Sequence, residues 1–254
     1  MKLWRKILIY ITLLIFLAGL GITLYPFIRG TIASHSMHKE AQSFLEKVDP
    51  LPTQPGEIIP IVTEPAKAET ETTAPQPYPE LLASMKTYNK LLWREKQSGL
   101  CDPWSYEQPS YTLGDYGLED EIFGVISIPK LGLKMPIYLG ASYDHMAIGA
   151  AHLSQTSLPI GGKNTNCVIA GHRGWKGAEY FLHVTDLEPG DEVLITNLWE
   201  TLHYTVTDTQ IIMPNDVEQV LIQEGRDMLT LLTCCYTSKG NQRYLVFCER
   251  ATEQ

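Results

Sequence analysis

The chain has 254 residues, 44% of them hydrophobic, and its 29 acidic and 20 basic side chains give a formal net charge of −9. That length buries one sizeable core with appendages. The acidic balance leaves no basic surface to hold phosphates and argues against nucleic acid as a partner.

The N-terminus opens with Lys2, Arg5 and Lys6 and then carries no charged side chain from Ile7 through Ile28. Such a run matches the roughly 20 apolar residues that cross a bilayer as a helix, and a cleaved signal peptide would have a shorter apolar region ending at a small-x-small site. Residues 1–30 therefore read as a cytoplasmic tip and uncleaved anchor, which puts everything after Arg29 outside the cytoplasm. In "TIASHSMHKEAQSFLEKV" the composition forms helix, but apolar residues are too sparse for a buried face, so an exposed juxtamembrane helix is expected. The following "DPLPTQPGEIIPIVTEPAKAETETTAPQPYPE" is rich in Pro, Thr and Glu and reads as an extended spacer that supplies reach. Residues 31–79 hold these two segments. In residues 80–116, Leu81, Leu82, Met85, Tyr88, Leu91 and Leu92 recur at spacings of three and four, which predicts an amphipathic helix docked on the domain and stopped near Gly99.

From about Gly117 the texture changes to short β-rich runs. "IFGVISIP", "LKMPIYLG", "NCVIAG", "DEVLITNL", "LHYTVTDTQIIM", "MLTLLTC" and "RYLVFCER" read as strands, with "HMAIGAAH" and "VEQVLIQE" as short helical turns. So many short strands with so few helices predict a mainly β domain over residues 117–254, a barrel or sandwich.

Five cysteines are an odd number, so at least one has no partner within the chain. Neither a Cys-x-x-Cys pair nor zinc-ligand spacing is present, which argues against a structural metal site. Cys167 and Cys248 lie inside strands and read as core. His145, His152, His183 and His203 read as surface or satisfied core histidines, and Arg173 and Arg250 as charged residues at strand or loop edges. In "MLTLLTC" both faces are largely apolar, the mark of a central strand. Cys234 sits where that strand gives way to a loop, Arg243 opens the returning strand, and His172 ends the strand "NCVIAG". Alternation points Cys235 to the face opposite Cys234. A thiol near a cation favours the reactive thiolate, an arginine can stabilise an oxyanion as it forms, and a histidine can pass protons to and from amines. Together they describe acyl transfer from an amide.

"TLLTC" at 230–234, "AGHRG" at 170–174 and "QRYLVFCER" at 242–250 resemble the signature blocks of sortases, over roughly residues 117–250. "TSLPIGG" at 156–162 and "GAEYFLHVTDLEPGDEV" at 177–193 resemble the pilus-building class C type more than class B. "CDPWS" at 101–105 resembles the class C lid, whose acid faces the catalytic arginine and whose ring covers the cysteine.

The resemblance implies a closed sortase-type β-barrel of about eight strands with Cys234, His172 and Arg243 as catalytic residues and Asp102 and Trp104 as lid residues. It implies a membrane-anchored transpeptidase on the extracellular side of a Gram-positive bacterium. Cys234 would cleave an LPXTG-like signal of a surface or pilin protein between Thr and Gly and form a thioester, without a cofactor. An amine from a pilin lysine or a cell-wall peptide would then resolve it. The alternatives are a sortase that anchors single surface proteins to cell-wall peptide and, from another class, a non-catalytic scaffold or adhesion domain on a stalk.

Overall fold

The computed structural model describes residues 2–48, 76–98, 100, 112–118, 121–237 and 240–251. The spacer at 51–75 and the segment bearing Asp102 and Trp104 lie outside the described residues.

All seven strands expected from the sequence form: β1 (Ile122–Ile128), β2 (Leu133–Leu139), β4 (Thr165–Ala170), β7 (Glu192–Thr196), β8 (Thr201–Ile212), β9 (Asp227–Thr237) and β10 (Gly240–Arg250). Three more, β3 (Ala150–His152), β5 (Arg173–Trp175) and β6 (Ala178–Tyr180), are only three residues long, too short to show an alternation. β5 and β6 form a separate hairpin, and the other eight strands close into a barrel in the order β1-β2-β3-β4-β9-β10-β8-β7. The strand β9 is central, pairing in parallel with β4 on one side and antiparallel with β10 on the other. Its inward residues Leu229 and Leu231 meet Cys167, Ile169, Val246 and Cys248 in the barrel core. The alternate residue Leu232 faces outward and packs with Val168, Ala170 and Leu245 in a second cluster. Cys167 and Cys248 are core thiols, as expected, and burial pushes both well above the ordinary cysteine range.

Helix α1 (Lys2–Val48) is one continuous helix, and its second half is not exposed as the sequence suggested. Gly30, Met37, Ala41 and Phe44 are buried and Ala33 is partly so, a single face at spacings of three and four. The side chains on it are mostly small, so a count of large apolar residues misses the stripe. Tyr138 on β2 donates to Glu40 Oε2 at 3.1 Å and ties this half of the helix to the barrel wall. Helix α1 thus meets the barrel directly. Phe44 of α1 packs in the same cluster as Leu81 and Met85.

Helix α2 (Pro79–Arg94) docks as expected through Leu81, Leu82, Met85 and Leu92, but Leu91 is exposed and Asn89 is buried in its place. The Asn89 amide earns that position by accepting from the Leu158 N–H at 2.8 Å and donating to the Leu158 carbonyl at 3.4 Å. The helix also ends before Gly99. Lys96 and Gln97 turn the chain with positive φ, and the buried Gln97 side chain accepts from Ile222 N at 2.6 Å and donates to the Gln155 carbonyl at 3.2 Å. The two expected helical turns are α3 (Tyr143–Ile148), capped by Ser142 Oγ on His145 N at 3.1 Å, and a short 3-10 turn at Val217–Val220.

Candidate active site

Three neighbouring strands carry the three residues singled out in the sequence, but Cys234 and Arg243 do not lie at strand ends as expected: the β9–β10 ladder runs on past them to Thr237 and Gly240, and only His172 lies just past the end of its strand. In the β9–β10 ladder Cys234 and Arg243 are directly opposed. Opposed residues of an antiparallel pair put their side chains on the same face with Cβ atoms about 4.5–5.5 Å apart. On the other side of β9, β4 runs parallel up to Ala170, opposite Leu232, and the Gly171 N–H extends the ladder by donating to the Leu232 carbonyl at 3.0 Å. The next residue is His172. The Thr233 hydroxyl, buried, donates to the Gly171 carbonyl at 2.8 Å and fastens the His172 turn to β9 one residue before Cys234. Gly171 itself has the Phe181 ring packed against its Cα: a Cβ there would lie 2.6 Å from the ring, so a larger residue would have to displace that buried ring.

The His172 ring is half-buried, stacked on Trp175 at 4.6 Å and 15° and met edge-on by Tyr180 at 5.9 Å. Burial holds its pKa below the ordinary histidine value and so favours the neutral form of the ring. Tyr180 is itself anchored by donating to the Ala147 carbonyl at 2.6 Å. Arg243 is 4% exposed, and its Nη1 donates to Asn241 Oδ1 at 2.8 Å and to the Gln242 carbonyl at 3.3 Å. A guanidinium held this way stays charged and keeps a fixed direction.

Cys234 is partly exposed, whereas Cys235 is buried on the opposite face, where Arg173 Nη1 lies 3.8 Å from its sulfur. Arg173 is therefore not merely an edge charge. Of the other histidines, His183 and His203 sit at the surface beside Asp186 and Glu192. His145 bonds the Gly140 carbonyl at 2.7 Å, and His152 is fully buried. The sequence reading did not find Trp175, Tyr180 or Asn241, which orient the ring and the guanidinium. The His-x-x-Trp spacing was the one available signal.

The sortase domain family matches residues 126–251. Among solved structures, a Group B Streptococcus Pilus Island 1 sortase C2 is 32% identical, aligned over 69% of this chain and 97% of that one with a TM-score of 0.61. Sortase C-1 from Actinomyces oris is also 32% identical, over 69% of this chain and 99% of that one, with a TM-score of 0.60. A curated relative, sortase D of Bacillus subtilis, is 26% identical over 132 residues, which cover 51% of this chain and 64% of the relative. The chain belongs to the sortase family, whose members are cysteine transpeptidases. Its structural likeness includes class C pilus sortases at full-domain coverage.

Proposed function

We propose that the chain is a membrane-anchored transpeptidase acting on LPXTG-like sorting signals, with Cys234 as nucleophile, His172 as proton carrier and Arg243 as oxyanion donor. The observation that carries this reading is the direct opposition of Cys234 and Arg243 across β9 and β10, with the end of β4 delivering His172 on the other side. Burial favours the neutral His172 ring, which begins as the acceptor of the Cys234 thiol proton. The thiolate adds to the Thr carbonyl of the signal, and Arg243 stabilises the resulting oxyanion. Collapse breaks the Thr–Gly bond, leaving a thioester on Cys234, and His172 gives its proton to the departing Gly amine. An incoming amine then loses a proton to His172, attacks the thioester and forms the new amide. The proton returns to the Cys234 sulfur, and the reaction needs no outside oxidant or cofactor.

The acceptor proposed is a pilin lysine, on the strength of the class C likeness. Sortase A and sortase D relatives keep attachment of single proteins to cell-wall peptide as the second reading. Residues 117–254 would be the catalytic unit. Asp102 and Trp104, by their sequence resemblance, would cover Arg243 and Cys234. The run from Ile7 through Ile28 would cross the membrane: its side chains, among them the large Leu14, Phe16 and Ile22, are exposed, and it meets the barrel only near its end, where the Pro26 backbone approaches Gly177.

The test is a quantified product ratio. An LPXTG peptide incubated with the full chain in detergent should yield an amide when a lysine-bearing pilin peptide or a cell-wall peptide is added, and little hydrolysis. Hydrolysis unaffected by either amine would make the protein a protease, and no cleavage at all would favour the scaffold reading.

A further inference from the structure

We infer that the tip of the β5–β6 hairpin, with Trp175 and Lys176, rests on the lipid headgroups and holds the active site at the membrane surface. The inference rests on the reading of α1 as a membrane span. The uncharged run from Ile7 through Ile28 is about 33 Å long at 1.5 Å per residue, close to the roughly 30 Å of a hydrocarbon core. Residues 26–30 therefore mark the level at which α1 leaves the bilayer.

The hairpin touches α1 at that level, backbone to backbone. A Cβ added to Gly30 would overlap the Gly177 carbonyl. One added to Gly177 would overlap the Pro26 carbonyl and come 3.3 Å from Gly30 Cα. Two glycines facing each other permit this approach, as small residues do where membrane helices cross, and Gly177, with φ of 89°, requires glycine on conformational grounds as well.

The side chains at this height are those that suit a headgroup layer. On α1, Arg29 Nη1 donates to the exposed Tyr25 hydroxyl at 3.3 Å. On the hairpin, Lys176 Nζ lies 5.2 Å from the centre of the Trp175 ring and is exposed. Paired aromatic and cationic side chains of this kind collect at membrane interfaces, where the rings straddle the boundary and the long cations reach the phosphates. Trp175 in turn stacks on His172. One ring stack thus separates the headgroup layer from the proton carrier. From Gly30 onward the buried stripe of α1 through Met37 and Ala41 fixes the barrel against the anchor, so the height is set by packing and not by a tether. A substrate whose scissile segment adjoins its own membrane span would be presented at this level.

The test places a photoreactive benzophenone amino acid in the full chain at Leu17, Lys176 or Lys163, in nanodiscs of phosphatidylglycerol and phosphatidylcholine containing labelled lipid. Lys163 precedes β4 and so lies at the opposite pole of the barrel. Lipid crosslinks are expected from positions 17 and 176, with the yield at 176 several-fold above that at 163. Crosslinking at 17 with none at 176, or equal yields at 176 and 163, would overturn the inference and leave the anchor intact. No crosslink at 17 would overturn the anchor reading itself. A second measurement covers disturbance of the hairpin by the probe. Headgroup-nitroxide lipid should quench wild-type tryptophan fluorescence more than that of Trp175→Phe, and equal quenching would also overturn the inference.

Discussion

Cys234 and Arg243 are cross-strand partners on the outer face of the barrel, and the guanidinium is held by Asn241 and the Gln242 carbonyl on its own strand. If the fork of that guanidinium meets the oxyanion, Arg243→Ala should lower kcat/KM for an LPXTG peptide by about 10²- to 10³-fold. Arg243→Lys should recover only part of the loss, because an ammonium keeps the charge without the planar geometry. Peptide cleavage assays on the two variants check this. Full activity in Arg243→Lys would mean that charge alone matters.

Burial lowers the His172 pKa, and the stacked Trp175 ring covers one face of the imidazole. In Trp175→Ala the pKa should move up toward the ordinary histidine value, as read by NMR titration of the ring. The sign for catalysis follows: a ring that must start neutral loses activity as pH falls through its pKa. The acid limb of the pH–rate profile should therefore shift to higher pH in the variant. A limb that stays in place would detach it from His172.

Cys235 neighbours the nucleophile in sequence but not in direction. It is buried on the far face beside Arg173. Cys235→Ser should keep transpeptidation within a few-fold of wild type, while Cys234→Ser should abolish it, both measured by product formation with a lysine-bearing acceptor peptide. Loss of activity in both would require a shared role for the two thiols.

Much of the fold was legible because the long strands carry their own signals. β9 shows apolar residues on both faces and proves central, and β8 alternates Leu202, Tyr204 and Val206 inward. The position of His172 just past the end of β4 was also legible, whereas Cys234 and Arg243 lie three residues inside their strands because the hairpin pairs on to Thr237 and Gly240. The alignment of the three depended on ladder register, which no local pattern states. The packed half of α1 was hidden because its stripe is built from Gly30, Ala33 and Ala41, residues that bury backbone more than side chain. Asn89 was hidden for another reason: a buried amide is worth its place only where a backbone donor and acceptor await it, and those belong to Leu158, far away in sequence.

The buried α1 stripe carries a stability prediction. Phe44→Ala should cost about 3–5 kcal/mol of unfolding free energy, because it removes a ring from the cluster shared with α2. Urea unfolding of the full chain in detergent, followed by Trp199 fluorescence, measures it. An unchanged midpoint would mean that the helix does not belong to the cooperative unit.

His152 predicts acid sensitivity. It is fully buried, burial lowers its pKa to about 4, and Nδ1 has no hydrogen-bond partner among the described residues. The unfolded chain takes up a proton near the ordinary value of about 6.5. The folded chain does not do so until about 4. Stability is then complete above 6.5 and falls as the pH drops between the two values, by up to ~3 kcal/mol. Urea midpoints at several pH values should fall more steeply in wild type than in His152→Gln. Equal slopes would assign the acid sensitivity to other groups.

Capture of the covalent intermediate tests the role of Cys234 most directly. The full chain in detergent is mixed with an LPXTG peptide without added amine, quenched in acid within one turnover and digested for mass spectrometry. The expected product is an adduct ending at the Thr of the signal, attached to Cys234 and absent from Cys234→Ala. An adduct on Cys235, or cleavage of the peptide with no cysteine adduct, would contradict that role.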